Sequence, residues 1–569
     1  MADKRKILII GGVALGAGTA AKARRMDEQA EIVLIERGPY VSFANCGLPY
    51  FLGDVITNRE ELLLHTPESL KARFNIDVRV MQEMVSLNRD KKSVMIRNLE
   101  TGETYEESYD KLVLAMGARP ISPPIPGKEL NGIFSMRTVP DVDRIKAYSN
   151  DTYAKHAVVI GAGFIGLETV DNLVHLGMKV TLIEKAPQVL PPFDAEMTAL
   201  ALKGLKRMGT EIILNDGIAR FEGTEKATGV VLESGRKVDG DVFILGLGVR
   251  PDMELAKAAG LELGVTGALR VNERLQTSDP DIYSGGDLAE IVHRVNDKDT
   301  WIPLAGAANK QARIVGINVC GGEAKFNGAQ GTSIVGVGKY VLGSTGLSEK
   351  LLQRAEIPYA VSYNTAGHHA GYYPGAKDLT IKLLFDPTSG EIFGAQVAGK
   401  EGVDKRLDVL ATAIGAHMSV SDLTDLDLAY APPFSSAKDP VILAGMAAEN
   451  IVNKKVKVVY KPEDLKGEEV QILDVRRDDE IVDGMIPEAL HIPLDELRDR
   501  ASELDPNLRY VVYCRSGLRS YVACRMLEGL GFNETYNLSG GYVVYEMREQ
   551  AAKAAQPAAE AVPVANSIS

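Results

Sequence analysis

One pattern, used twice, constrains this chain more than any other feature. Lys6–Ile10 is a short apolar run followed by glycines, an Ala-rich stretch from Ala17 to Arg25, and a second apolar run, Glu31–Ile35, ending in Glu36. Strand, glycine turn, helix, strand and acid make a βαβ unit with a dinucleotide-binding signature. About 150 residues later the pattern returns as Ala157–Ile160, the turn from Gly161 to Gly166, a helix to about His175, Lys179–Ile183 and Glu184. Glycines let the backbone approach a pyrophosphate, and the helix N-terminus behind them favours its charge. The second turn is complete in Gly161, Gly163, Gly166 and Glu184. The first, with Gly11, Gly12 and Gly16, has Val13 where the middle glycine would sit. Two distant segments support it: one ends Ile-Tyr-Ser-Gly-Gly-Asp287, and the other runs from Leu112 to Ala118. Each reads as a strand delivering a glycine turn. Two nucleotide folds imply two cofactors. Glu36 and Glu184 would accept from ribose hydroxyls, and Glu184 would repel a 2′-phosphate. That favours NADH, although Lys185 beside it leaves NADPH open.

Composition narrows the class. The net charge of −13 disfavours non-specific binding to nucleic acid or an anionic membrane. Aromatic residues are only 6%, which argues against a base-stacking surface. Four cysteines, Cys46, Cys320, Cys514 and Cys524, are too few for a secreted disulfide framework in 569 residues. They also form no Cys/His cluster at zinc spacing, so no metal site is expected. The basic start ends its apolar run in glycines, which reads as a strand and not a signal peptide. No apolar run approaches about 18 residues, so no membrane span is expected and the expected location is the cytoplasm.

Further along, Thr380–Phe385 and Ile392–Val397 flank a hairpin signal, and Val403–Met418 has helical periodicity. Basic residues at Asn453–Lys461 followed by Pro462 read as a linker. Val470–Val475, Val511–Tyr513 and Arg519–Gly529 read as strand, strand and helix of a small α/β unit. The Ala/Pro/Ser-rich tail from Ala551 lacks large apolar residues and reads as disordered.

The order of these segments resembles the flavoprotein disulfide reductase superfamily. Ser42-Phe-Ala-Asn-Cys-Gly-Leu-Pro-Tyr50 resembles the active-site segment of coenzyme A disulfide reductases, over about residues 5 to 450. The resemblance implies FAD on Gly11, Gly12, Gly16, Glu36 and Asp287, and NAD(P)H on the second turn. It extends the cofactor-binding set to Arg37, Ala115, Gly117, Ala305, Phe164, Ile165, Lys185 and Gly248. Most of the superfamily uses two cysteines separated by four residues, but Phe51 stands where the second would be. A lone redox thiol needs an external partner: a small-molecule thiol, an oxygen as sulfenate, or a sulfane sulfur. The resemblance implies that Cys46 cycles between thiolate and a mixed disulfide or persulfide. It also implies coenzyme A near Ser42, Phe43, Asn45, Lys22 and Arg25, whose cationic members suit a phosphorylated ligand. The segments around Tyr372 and Tyr430 match coenzyme A reductase segments whose two tyrosines reach the partner's cysteine, which implies a homodimer.

Tyr513-Cys514-Arg515-Ser-Gly-Leu-Arg519-Ser520 follows an apolar strand and opens a helix. Backbone N–H groups and the helix dipole would converge on Cys514, and two arginines add charge, depressing its pKa and stabilising an anionic sulfur. The loop resembles that of rhodaneses, over about residues 463 to 548. Cys514 to Arg519 is five steps, the compact loop of sulfurtransferases; the longer loop of related phosphatases and arsenate reductases is the alternative. Cys320 and Cys524 read as packing.

The expected fold class is α/β: two Rossmann-like FAD and NAD(P)H domains, an α+β dimerisation domain and a C-terminal α/β rhodanese domain. The expected boundaries are 1–120 and 251–325 for FAD, 121–250 for NAD(P)H, 326–452 for dimerisation, 453–462 for the linker, 463–550 for rhodanese and 551–569 for the tail. The expected activity is NADH-dependent reduction of a persulfide or polysulfide, with FAD as cofactor and coenzyme A as carrier. Cys514 would accept the sulfur and Cys46 would reduce it. Coenzyme A disulfide reductase, NADH oxidase and a flavin-binding redox sensor are the alternatives.

Overall fold

A computed structural model describes residues 4–465, 470–482 and 484–556. The chain divides into two compact units: the residues up to Ile183 with Gly217–Gly331, and Glu184–Asp216 with the residues from Thr332 onward.

The first unit holds both glycine turns. Its five-stranded sheet runs Ile282–Ser284, Lys111–Leu114, Lys6–Ile10, Glu31–Ile35, Asp77–Arg79, all parallel. Near-continuous apolar strands are what a parallel sheet covered on both faces requires. Ile7, Ile9, Ile32 and Leu34 enter one core, and Leu8, Ile10, Val33 and Ile35 enter the core on the other face. A second parallel sheet runs Lys179–Ile183, His156–Ile160, Val242–Leu245, Ile133–Ser135. Both helices expected after the turns are present, at Ala14–Met26 and Phe164–His175.

The second unit carries two sheets. One is antiparallel, in the order Ser333–Val337, Tyr340–Gly346, Ile392–Gly399, Asp378–Phe385, Ala360–Gly367, and includes the expected hairpin. The expected helix spans Val403–Gly415. The other sheet is parallel, in the order Lys457–Val459, Thr535–Leu538, Arg509–Tyr513, Val470–Asp474, Leu490–His491.

Three boundaries move. The linker at 453–462 contains Lys457–Val459, an edge strand of the parallel sheet, and Val459 is buried. The lysines that suggested a solvated linker alternate with valines that pack. The helix Gly541–Ala554 continues past the 551 boundary, because alanines sustain a helix without apolar bulk. Residues 557–569 of the expected tail lie outside the described residues. Residues 184–216, placed by sequence in the nicotinamide domain, cluster with the second unit. Among the described residues, no helix is long and apolar enough to cross a membrane.

Candidate functional site

The glycines of the two turns have different tasks. A Cβ on Gly16 would lie 1.8 Å from the Gly11 carbonyl oxygen, and one on Gly166 would lie 1.9 Å from that of Gly161. These glycines let helix and turn pack. A Cβ on Gly163 would meet nothing within 4 Å. Protein packing does not demand glycine there, but a pyrophosphate resting on the helix N-terminus does. The cradle therefore fits a dinucleotide. Gly163 has an extended backbone that alanine can adopt. Gly163→Ala should leave the melting temperature nearly unchanged and raise the KM for NADH about tenfold, a loss of ~1.4 kcal/mol. Thermal melts beside steady-state kinetics check both halves.

In the first turn, Glu36 accepts from the amides of Gly12 at 2.8 Å and Gly38 at 2.7 Å. Burial raises its pKa despite those amides. Glu184 accepts from the Ala186 amide at 2.7 Å. Ala115 donates its amide to Ile10, Gly117 turns at φ +69°, Gly248 at φ +87°, and Ala305 opens the helix Ala305–Asn318. Arg37 is exposed and 3.7 Å from Glu83. Phe164 begins its helix, and Ile165 beside it is exposed.

Cys46 sits on a single turn, Asn45–Gly47, that leads into the helix Leu48–Leu52. It is exposed, with Sγ 3.7 Å from Asn45 Oδ1. Desolvation by its surroundings pushes the thiol pKa up, as do the carboxylates of Glu168 and Asp287, while Arg137 opposes them. Arg137 is 3.6 Å from Asp287. The Tyr50 hydroxyl donates to Glu168 Oε1 at 3.2 Å, and burial with that carboxylate pushes Tyr50 up to about 12. The sequence reading missed Tyr50, Arg137 and Glu168. The available signal for Glu168 was an acid two positions after the third glycine of the turn.

The Ser42 amide donates to the Gly12 carbonyl at 2.8 Å, which pins the cysteine segment to the first glycine turn. Ser42 adopts φ +50°, and Phe43 bridges Leu63. On the first helix Lys22 is half-buried and Arg25 exposed. Arg24 between them is buried and donates to five carbonyls, those of Phe74, Asp27, Glu28, Ala30 and Asn75. Only the flanking pair is available to a ligand.

Tyr372 and Tyr430 are brought together across 58 positions, their hydroxyls 2.9 Å apart. Tyr372 is 77% exposed and Tyr430 48%. Phe434 beside this segment is also exposed.

Cys514 is 1% exposed at the end of the strand Arg509–Tyr513. Its Sγ accepts from the Gly517 amide at 3.2 Å, and Ser520 Oγ lies 3.5 Å away. The Ser520 hydroxyl has one proton, and its shortest contact is Asn537 Oδ1 at 2.7 Å. The two arginines expected to add charge here are each paired with a carboxylate, and Arg519 also interacts with the Cys514 sulfur. Arg519 Nη1 and Nη2 bind Glu480 at 2.6 and 2.7 Å, and Arg515 Nη2 binds Asp378 at 2.5 Å. Each guanidinium found a carboxylate. Neither Glu480, in the acidic run Asp478-Asp-Glu480, nor Asp378 is singled out by the sequence. Cys524 is buried in the core of this module, and burial pushes it up to about 12. Cys320 Sγ lies 3.5 Å from the Ala23 carbonyl oxygen and packs against the first unit's core.

The chain belongs to the pyridine nucleotide-disulphide oxidoreductase family, which residues 5–312 match. Family membership carries FAD and NAD(H). Residues 332–441 match the dimerisation domain of that family, and residues 461–548 match the rhodanese-like domain. At the level of particular proteins, the chain is similar to the reduced Bacillus anthracis CoADR-RHD structure, with 47% identity, TM-score 0.93, 96% of this chain and 98% of that one covered. It is also similar to an NAD-dependent persulfide reductase from A. fulgidus, with 36% identity, TM-score 0.89, 95% and 100% covered. Among curated relatives, an NADH oxidase of Methanocaldococcus jannaschii is 36% identical over 79% of this chain and 99% of its own length. A coenzyme A disulfide reductase of Staphylococcus aureus is 35% identical over 78% of this chain and 100% of its own length.

Proposed function

We propose that the protein is an NADH-dependent reductase of persulfides and polysulfides, coenzyme A persulfide among them, that releases sulfide. The carrying observation is the pairing of two sulfur sites on one chain: exposed Cys46, with no neighbouring cysteine, and Cys514, cradled by an amide N–H. The similarity to the A. fulgidus persulfide reductase, which extends over 95% of the chain, supports this.

Cys514 attacks the outer sulfur of a donor and holds it as a persulfide. A small thiol carries that sulfur to Cys46. The Cys46 thiolate attacks the sulfur–sulfur bond, and the leaving sulfur departs with the bonding pair and takes a proton. FAD, when bound, supplies the electron pair that NADH provides to restore Cys46. The sum is RSSH + NADH + H⁺ → RSH + H₂S + NAD⁺. Gly11, Gly12, Gly16, Glu36 and Asp287 hold FAD. Gly161, Gly163, Gly166 and Glu184 hold the nicotinamide dinucleotide, with Glu184 selecting NADH. Ser42, Phe43, Asn45, Lys22 and Arg25 hold coenzyme A. The protein works as a homodimer in which Tyr372 and Tyr430 serve the Cys46 of a second copy. Their exposure and hydroxyl pairing support this, because a phenol can protonate a departing sulfur.

The test is anaerobic NADH oxidation with coenzyme A persulfide, glutathione persulfide, polysulfide and coenzyme A disulfide in parallel, with sulfide measured. Persulfides should exceed the disulfide in kcat/KM. A disulfide preferred over every persulfide makes the enzyme a coenzyme A disulfide reductase, the reading its S. aureus relative favours.

A further inference from the structure

The two arginines of the Cys514 loop are each paired with a carboxylate. Arg519 is held by Glu480 through two hydrogen bonds within the rhodanese module. Arg515 leaves the loop and binds Asp378, which opens the strand Asp378–Phe385 of the antiparallel sheet. Two guanidinium groups thus face two carboxylates. Cys514 Sγ accepts from the Gly517 N–H at 3.2 Å and has Ser520 Oγ at 3.5 Å, and Arg519 also interacts with it while paired to Glu480. The loop's own frame is fixed from behind: Tyr542 and Val543 donate their amides to the Cys514 and Arg515 carbonyls at 2.8 and 3.0 Å.

Guanidinium groups at a sulfur-transfer loop suit polyanionic donors. Thiosulfate, a dianion, can draw on Arg515 only by competing with Asp378 for it. A hydropersulfide carries at most one negative charge and needs neither guanidinium. Arg515 and Asp378 side chains are 52% and 42% exposed, so this pair is weak enough for a competing anion to contest.

We propose that Asp378, contributed by the dimerisation module, is a specificity-determining residue of the rhodanese site. By holding Arg515 it tilts Cys514 towards hydropersulfide donors and away from dianionic thiosulfate. This rests on the reading that Cys514 accepts sulfane sulfur, and it names the donor class. With thiosulfate, the Cys514 thiolate takes the outer sulfur and the bonding pair leaves on sulfite. With a hydropersulfide RS–SH, it takes the outer sulfur and RS⁻ leaves.

The test uses the full chain without NADH. Sulfur gained by the Cys514 peptide is followed by mass spectrometry with thiosulfate and with the hydropersulfide of 2-mercaptoethanol, at most a monoanion. Asp378→Asn should raise the thiosulfate rate about fivefold, the scale of one exposed ion pair, and change the hydropersulfide rate less than about twofold. Arg515→Gln should lower the thiosulfate rate, the double variant should return close to wild type, and Asp378→Glu should keep the wild-type preference. Equal changes for both donors, or none for either, overturn the proposal while leaving sulfur acceptance intact. Wild-type protein whose Cys514 gains sulfur from neither donor overturns sulfur acceptance itself, and this proposal with it.

Discussion

Cys46→Ser lowers NADH-driven sulfide release by at least about a thousandfold, the scale expected when a covalent nucleophile is removed. A hydroxyl of the same shape cannot attack a sulfur–sulfur bond at neutral pH. Reduction of the bound flavin by NADH should persist at close to the wild-type rate, because none of the groups holding the nicotinamide dinucleotide has changed. Stopped-flow absorbance separates the two steps. Cys514→Ser gives a different pattern. Sulfide release from coenzyme A persulfide, which can meet Cys46 directly, stays within about threefold, since loss of an interaction outside the reacting centre leaves the chemical step untouched. Release from donors that must first pass sulfur to Cys514 collapses. If Cys514→Ser spares turnover of every donor, the two cysteines do not form one relay. If Cys46→Ser keeps full sulfide release, Cys46 is not the redox thiol.

The contrast between the cysteines also shows what could be read without coordinates. The glycine turns, the strands feeding them and the isolation of Cys46 were legible because each is a short-range pattern: Gly161 to Gly166 is one turn, and the place of a second cysteine is five positions from Cys46. The rhodanese loop was legible for the same reason. The charges around these sites were not. Arg515 and Arg519 read as charge beside Cys514, but the carboxylates that pair with them come from 137 and 39 positions away. Glu168 approaches Tyr50 across 118 positions. A carboxylate that will fold against an arginine reads in the sequence as one more solvated acid. Lys457–Val459 failed in the opposite sense, because lysines of an edge strand hid the valines between them.

The same blindness covers a buried ionic cluster in the second unit. Lys382 lies within a strand that reads as core, and its side chain is fully buried. Its ammonium meets Asp194 at 2.9 Å, Glu196 at 2.6 Å and Glu349 at 2.6 Å. The Tyr363 hydroxyl donates to Glu196 at 2.7 Å, and Arg548 of the last described helix donates to that hydroxyl at 3.1 Å. The cluster therefore ties residues 184–216, the antiparallel sheet and the rhodanese module together through one ammonium. Burial alone would raise Glu196, but the charge and hydrogen bond of Lys382, with Tyr363, outweigh it and hold that carboxyl at about 2. Lys382→Met keeps the length of the side chain and removes the cation, leaving buried carboxylates uncompensated. It should destabilise the unit by about 3–5 kcal/mol, the usual result of breaking a buried ionic cluster from one side. The pH dependence identifies the cause. In the wild type Glu196 sits below its ordinary value of 4.5, so its stabilisation is present above that pH and is lost as pH falls towards 2. In the variant burial dominates and the carboxyl pKa rises above its unfolded value, so protonation now favours the folded state. Denaturant melts should show the deficit largest at pH 7 and shrinking as the pH is lowered through 5. A deficit that stays constant from pH 7 to 5 would mean that Lys382 matters for its packing and not for its charge.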